Sequence, residues 1–81
     1  MRVRVKLFGS LREVLTESVL YLDLPENATP ETVWVHLVSR RPALADRRRS
    51  LTAAINRRYA PFDSPLAEGD EIVFIPPVSG G

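Results

Sequence analysis

The two ends of this chain carry its strongest strand patterns, and their pairing limits the fold more than any other feature. Near the end, Glu71-Ile72-Val73-Phe74-Ile75 is a continuous apolar run, as in a strand at a sheet centre. At the start, residues 1–8 alternate: Val3, Val5 and Leu7 point one way, and Arg2, Arg4, Lys6 and Phe8 the other. We expect these strands side by side at the centre of one sheet, running parallel. A second alternating run, Ser18 to Leu24, puts Leu20, Leu22 and Leu24 on one face and ends at Pro25. An antiparallel return of this strand against the first is expected.

Between these strands lie the helix signals. Gly9 breaks the first strand, and Ser10-Leu11-Arg12-Glu13 has the spacing of a capping box opening a short helix to about Leu15 or Thr16. Thr29 is the expected N-cap of the main helix, with Pro30 at its first position and Glu31 at its positive end. Val33, Trp34, Leu37 and Val38 form its buried stripe, His36 falls on the other side, and Pro42 stops it. Leu51–Ile55 reads as a short strand and Asn56-Arg57-Arg58 as a turn. Tyr59 begins a brief strand cut off by Pro61, and Glu68-Gly69-Asp70 is a tight turn. One long helix crossing a mixed sheet of four to five strands makes a two-layer α+β domain.

Size and charge exclude several function classes. At 81 residues the chain is one domain, burying only somewhat more than about 60% of its unfolded surface. It has no cysteine, which rules out a thiol nucleophile, a disulfide framework and cysteine-bound zinc. The net charge is +1. Its arginines cluster at Arg40, Arg41, Arg47, Arg48, Arg49, Arg57 and Arg58, while Lys6 is the one lysine. Such a run is read first as a solvated face, and nucleic acid is not an expected partner. No phosphate-cradling glycine loop is present, no second ligand joins His36 for a metal, and Asp70 and Glu71 diverge too far for acid/base work. No apolar run reaches the length of a membrane span and no leader pattern opens the chain, so a cytoplasmic protein is expected.

The sequence closes Pro76-Pro77-Val78-Ser79-Gly80-Gly81. A glycine pair lets a partner close around both backbones and still reach the final carboxylate, an acyl group that can be activated. The two prolines stiffen the root of this tail into an extended form. Leu7-Phe8-Gly9 with Leu11-Arg12-Glu13, Ala53-Ala54-Ile55-Asn56, residues 63–71, and the strand running into Pro-Pro-Val-Ser-Gly-Gly together resemble the ubiquitin-like sulfur carriers of the β-grasp fold. The double proline favours their molybdopterin-synthase branch over the thiamine type.

The resemblance implies a β-grasp domain over residues 1–75 and a flexible tail over 76–81. It implies that an adenylyltransferase of the ubiquitin-activating type spends ATP on the Gly81 carboxylate, and that a sulfur donor protein then displaces AMP to leave a thiocarboxylate. The molybdopterin synthase large subunit would supply the active site, and this chain would surrender sulfur to precursor Z in molybdenum cofactor biosynthesis. No cofactor would bind the chain itself. Gly81 carries the reacting carbonyl and Gly80 keeps the approach narrow. Pro76, Pro77, Val78 and Ser79 meet the partner along the tail, and an exposed apolar patch of Phe8, Tyr59 and Ile75 grips it on the body. Two other readings of the same terminus are a ubiquitin-like protein modifier and a carrier for another pathway such as tRNA thiolation.

Overall fold

Alternating apolar side chains produce strands, and a capped 3.6-residue stripe produces the helix that covers them. The computed structural model describes residues 1–77. In chain order it contains β1 (Arg2–Lys6), α1 (Gly9–Leu15), β2 (Val19–Asp23), α2 (Pro30–Arg40), a 3-10 helix (Pro42–Ser50), β3 (Thr52–Ile55), β4 (Arg58–Ala60) and β5 (Glu71–Ile75). The five strands form one sheet in the order β2-β1-β5-β3-β4. β1 and β2 are antiparallel, with Val5 opposite Leu20, and β1 and β5 run parallel, with Val5 beside Ile72. The two end strands therefore meet at the sheet centre, as their patterns predict.

One face of the sheet is packed. Val3, Val5 and Leu7 from the first strand region, Leu20 and Leu22 of β2, Ala53 of β3, and Ile72 and Phe74 of β5 are buried there. They meet Val33, Trp34 and Leu37 of α2 and Leu11 and Leu15 of α1 in one core. Trp34 stands edge-on to Phe74 with ring centroids 5.2 Å apart, a favoured aromatic geometry. β5 is central, yet its residues alternate between buried and half-buried, because among the described residues no second layer covers the opposite face.

Helix ends show where local chemistry acts. The Thr29 hydroxyl accepts from the Thr32 backbone N–H at 3.3 Å, and the Thr32 hydroxyl accepts from the Thr29 N–H at 3.0 Å. This reciprocal cap satisfies two otherwise orphaned donors. The expected box at Ser10 does not form. α1 starts two residues earlier, Phe8 flanks it without a side-chain cap, and Ser10 lies inside its first turn. The Ser10 hydroxyl instead accepts from Arg47 Nη1 at 2.7 Å.

The arginine-rich stretch is partly structural. Arg40 Nη2 pairs with Glu17 at 2.9 Å, tying α2 to the segment before β2. Arg48 pairs with Glu31 through Nε and Nη2 at 2.9 and 2.7 Å, and its guanidinium lies 3.4 Å above the Phe62 ring. Phe62 in turn stacks on Phe74, with centroids 5.8 Å apart. The planar, delocalised guanidinium allows both contacts at once. Arg41, Arg49, Arg57 and Arg58 are exposed, as a solvated face requires.

The β3–β4 hairpin closes on Asn56 and Arg57, at φ 50° and 70°. Both centres are left-handed, which suits a two-residue turn between twisted strands. Asn56 is held there by its neighbours: Nδ2 donates to Asp70 at 2.8 Å, and Oδ1 accepts from the Glu71 N–H at 2.9 Å. Among the described residues nothing comparable holds Arg57. A left-handed angle costs an L-residue roughly 1–2 kcal/mol, and a glycine's extra unfolded-state freedom offsets about half of that. Arg57→Gly is therefore expected to stabilise the chain by roughly 0.5–1 kcal/mol, read as a melting temperature a few degrees higher.

Candidate functional site: the open sheet face and the root of the tail

Strand alternation puts half of every strand on the uncovered face. Across its middle the pairing aligns Val19, Lys6, Val73, Ala54 and Tyr59, one residue from each strand. The next row toward the tail pairs Ile75 with Thr52. Phe8 lies two residues beyond Lys6, as Ile75 lies two beyond Val73, and its backbone is extended (φ −127°, ψ 160°). Phe8 thus continues the β1 direction beside the end of β5.

The three residues expected to form an apolar patch all reach this face. Phe8 is 52% exposed and Tyr59 77%, while Ile75 is half-buried. Phe8 and Ile75 sit together near the root of the tail. Tyr59 lies on the edge strand, two strand spacings from β5, or about 10 Å. The gap is filled by Val73 and Ala54, which the sequence reading did not place in the patch. The signal for Val73 was present: in a sheet covered on one side only, a continuous apolar strand must turn alternate residues outward.

Charge frames the patch on one side. Lys6 Nζ lies 5.9 Å from the Phe8 ring centroid. Arg4 pairs with Glu71 at 3.8 Å, and Arg2 Nε donates to Asp23 at 3.1 Å. That hydrogen bond, followed by the guanidinium's charge, holds the Asp23 carboxyl below its ordinary value. Among the described residues no three His, Cys, Asp or Glu side chains converge as metal ligands. No helix among them is long and apolar enough to cross a membrane.

Pro76 and Pro77 are exposed and follow Ile75 directly. The sequence-predicted residues Val78, Ser79, Gly80 and Gly81 lie outside the described residues. What the fold supplies is a rigid mount: the tail leaves a central strand, with β1 on one side and β3 on the other.

The ThiS family matches residues 5–81, nearly the whole chain and up to Gly81. The chain belongs to the ThiS family. The molybdopterin synthase sulfur carrier subunit of Escherichia coli is 36% identical over 83 residues, covering 98% of this chain and 99% of that protein. Among solved structures, SAMP1 from Haloferax volcanii superposes with a TM-score of 0.83 at 30% identity, covering 100% of both chains. A ubiquitin from Caldiarchaeum subterraneum superposes with a TM-score of 0.66 at 21% identity, covering 100% of this chain and 98% of that one, a likeness of fold. This ThiS-family chain has the ubiquitin-like β-grasp fold expected from its sequence.

Proposed function

We infer that this chain is the sulfur-carrying small subunit of a molybdopterin synthase, acting in molybdenum cofactor biosynthesis. One observation carries the reading: the family match runs through the tail to Gly81, and a relative named as such a carrier aligns along nearly its full length. A carboxylate is a poor acyl donor until activated. In this reading an adenylyltransferase of the ubiquitin-activating type uses ATP to convert the Gly81 carboxylate to an acyl adenylate. A sulfur donor protein then displaces AMP and leaves a thiocarboxylate. That sulfur is nucleophilic, and it leaves its carrier by hydrolysis of the acyl link once it has been transferred to precursor Z.

The large synthase subunit supplies the pocket, and this chain supplies the tail and the docking face. Gly80 and Gly81 admit a slot too narrow for side chains. Val78 and Ser79 offer one apolar and one hydrogen-bonding contact. Pro76 and Pro77 reduce the ordering that docking requires. On the body, Phe8, Val73, Ile75 and Tyr59 give an apolar centre beside the root of the tail, the arrangement of an interface core. The whole sequence of reactions belongs to the cytoplasm.

The docking role gives an expected result. Phe8→Ala and Tyr59→Ala remove exposed side chains, so the melting temperature stays close to the parent's. Each is expected to weaken binding of the large subunit by about 2 kcal/mol, roughly thirty-fold in Kd, as aromatic anchors do. Titration calorimetry against the purified large subunit measures it.

The likeness to SAMP1, whose relative from Methanosarcina acetivorans is named a small archaeal modifier protein, favours a second reading as a protein modifier. Intact-mass measurement separates the two. The chain is incubated with ATP, an adenylating enzyme and a sulfur donor. A carrier gains the mass difference of one oxygen exchanged for one sulfur. A modifier appears instead as glycine adducts on lysines of other proteins, and that outcome without any sulfur gain overturns the carrier reading.

A further inference from the structure

Ten arginines and one lysine make an unusual cationic surface. The two residue types differ in one respect that matters beside an activated acyl group. Arginine stays protonated and does not accept acyl groups, whereas a lysine amine that has lost its proton does. The single lysine, Lys6, occupies the open sheet face, in the row that joins Val73, Ala54 and Tyr59. It has no ion pair or hydrogen bond among the described residues, and Nζ is not among the buried unpaired nitrogens. The other amine, the Met1 α-amine, donates to the Leu24 carbonyl at 2.6 Å.

We propose that Lys6 is an acylation site for the activated C-terminal glycine of a second copy of this chain, and that this acylation and docking of the large subunit exclude one another. The proposal rests on the reading of Gly81 as an activated acyl group. The neutral ε-amine of Lys6 attacks the carbonyl carbon of the Gly81 acyl adenylate on the other copy. The N–C bond forms, the bond from carbon to the AMP oxygen breaks, AMP leaves, and the amine's proton passes to solvent. The product is two chains joined by one isopeptide bond. Each chain offers one such acceptor, so further rounds extend a linear array without branches.

Geometry makes the two fates exclusive. Lys6 Nζ is 5.9 Å from the Phe8 ring centroid and its backbone pairs with Val73, so a partner seated on Phe8 and Val73 covers it. Conversely, an acyl group on Nζ removes the charge over Phe8 and plants a whole second domain in the docking face. A carrier held by the large subunit is thus shielded at its one ε-amine, whereas in an undocked carrier Lys6 is only half-buried.

The test uses a full-length chain prepared with a C-terminal thioester at Gly81, so that no activating enzyme is needed. It is mixed with acceptor chain bearing a free carboxylate, and linkages are mapped by peptide mass spectrometry. The conjugate is expected at Lys6, to be lost with Lys6→Arg acceptor, and to be lost when the acceptor is first saturated with large subunit. The proposal is overturned if no conjugate forms, if Lys6→Arg acceptor conjugates equally through its α-amine, or if the Lys6 linkage persists in the complex. The thioester is made chemically, so these outcomes stand apart from the carrier reading, which fails only when the native chain takes no sulfur with ATP, enzyme and donor.

Discussion

A chain lacking Gly80 and Gly81 is expected to melt like its parent and to take up no sulfur at all. Those residues follow β5 and the two exposed prolines in the sequence, and the described core is assembled from residues that precede them. Their removal transfers the terminal carboxylate to Ser79, two residues short of where an enzyme built around a glycine pair would act. The loss is in reach and in access together. Gly80→Val separates the two: it leaves the last carboxylate in position and places a branched side chain in the slot. Sulfur loading should fall steeply in that variant while the fold is untouched. Intact mass after incubation with ATP, adenylating enzyme and sulfur donor measures both variants. Normal loading of the truncated chain would remove the basis of the proposed chemistry.

Phe74→Ala is expected to destroy the domain's stability. Phe74 is fully buried in the central strand, edge-on to Trp34 and stacked on Phe62. Truncating a buried phenylalanine costs about 3–5 kcal/mol. A domain of this size has on the order of 4–12 kcal/mol in total, at roughly 0.05–0.15 kcal/mol per residue. The cavity would also undercut the Phe62 ring on which the Arg48 guanidinium rests, loosening the Arg48–Glu31 pair above it. At about 4–8 °C per kcal/mol for a small domain, the melting temperature should drop by tens of degrees. Thermal denaturation followed by circular dichroism reads the change. A drop of only a few degrees would mean that the aromatic stack contributes little.

Much of this architecture is legible because strong periodicity and strong punctuation coincide. Val3, Val5 and Leu7, and Leu20, Leu22 and Leu24, each alternate with polar residues, and Pro25 ends the second run. Thr29-Pro30 marks the start of α2 before any helical period has to be counted. What stayed hidden depends on neighbours distant in sequence. Ser10 has the right spacing to Glu13 for a cap. Nothing local announces that Phe8 will flank the helix and that Arg47 will occupy the hydroxyl. Thr32 is an unobvious capping partner, because threonine in place of glutamate closes the same reciprocal bond. The double engagement of Arg48, with Glu31 and with Phe62, requires the 3-10 turn and the following loop to be placed first. For the site, Phe8, Tyr59 and Ile75 were readable as outward residues of their strands. Val73 was obscured by its apolar neighbours, since such a run does not say which face will be left open.

The adjacency of β1 and β5 bears on how this molecule comes into being. Residue 4 pairs with residue 71, so the middle of the sheet stays vacant until nearly the whole polypeptide has been synthesised. Contacts this distant in sequence are slow to close. A nascent or nicked chain without its last strand lacks the staves on which β1 and β3 both lean, and it has no tip to offer either. In the proposed chemistry an activating enzyme would therefore meet the reactive end only on a finished body, because the strand that completes the sheet leads straight into the residues that carry that end.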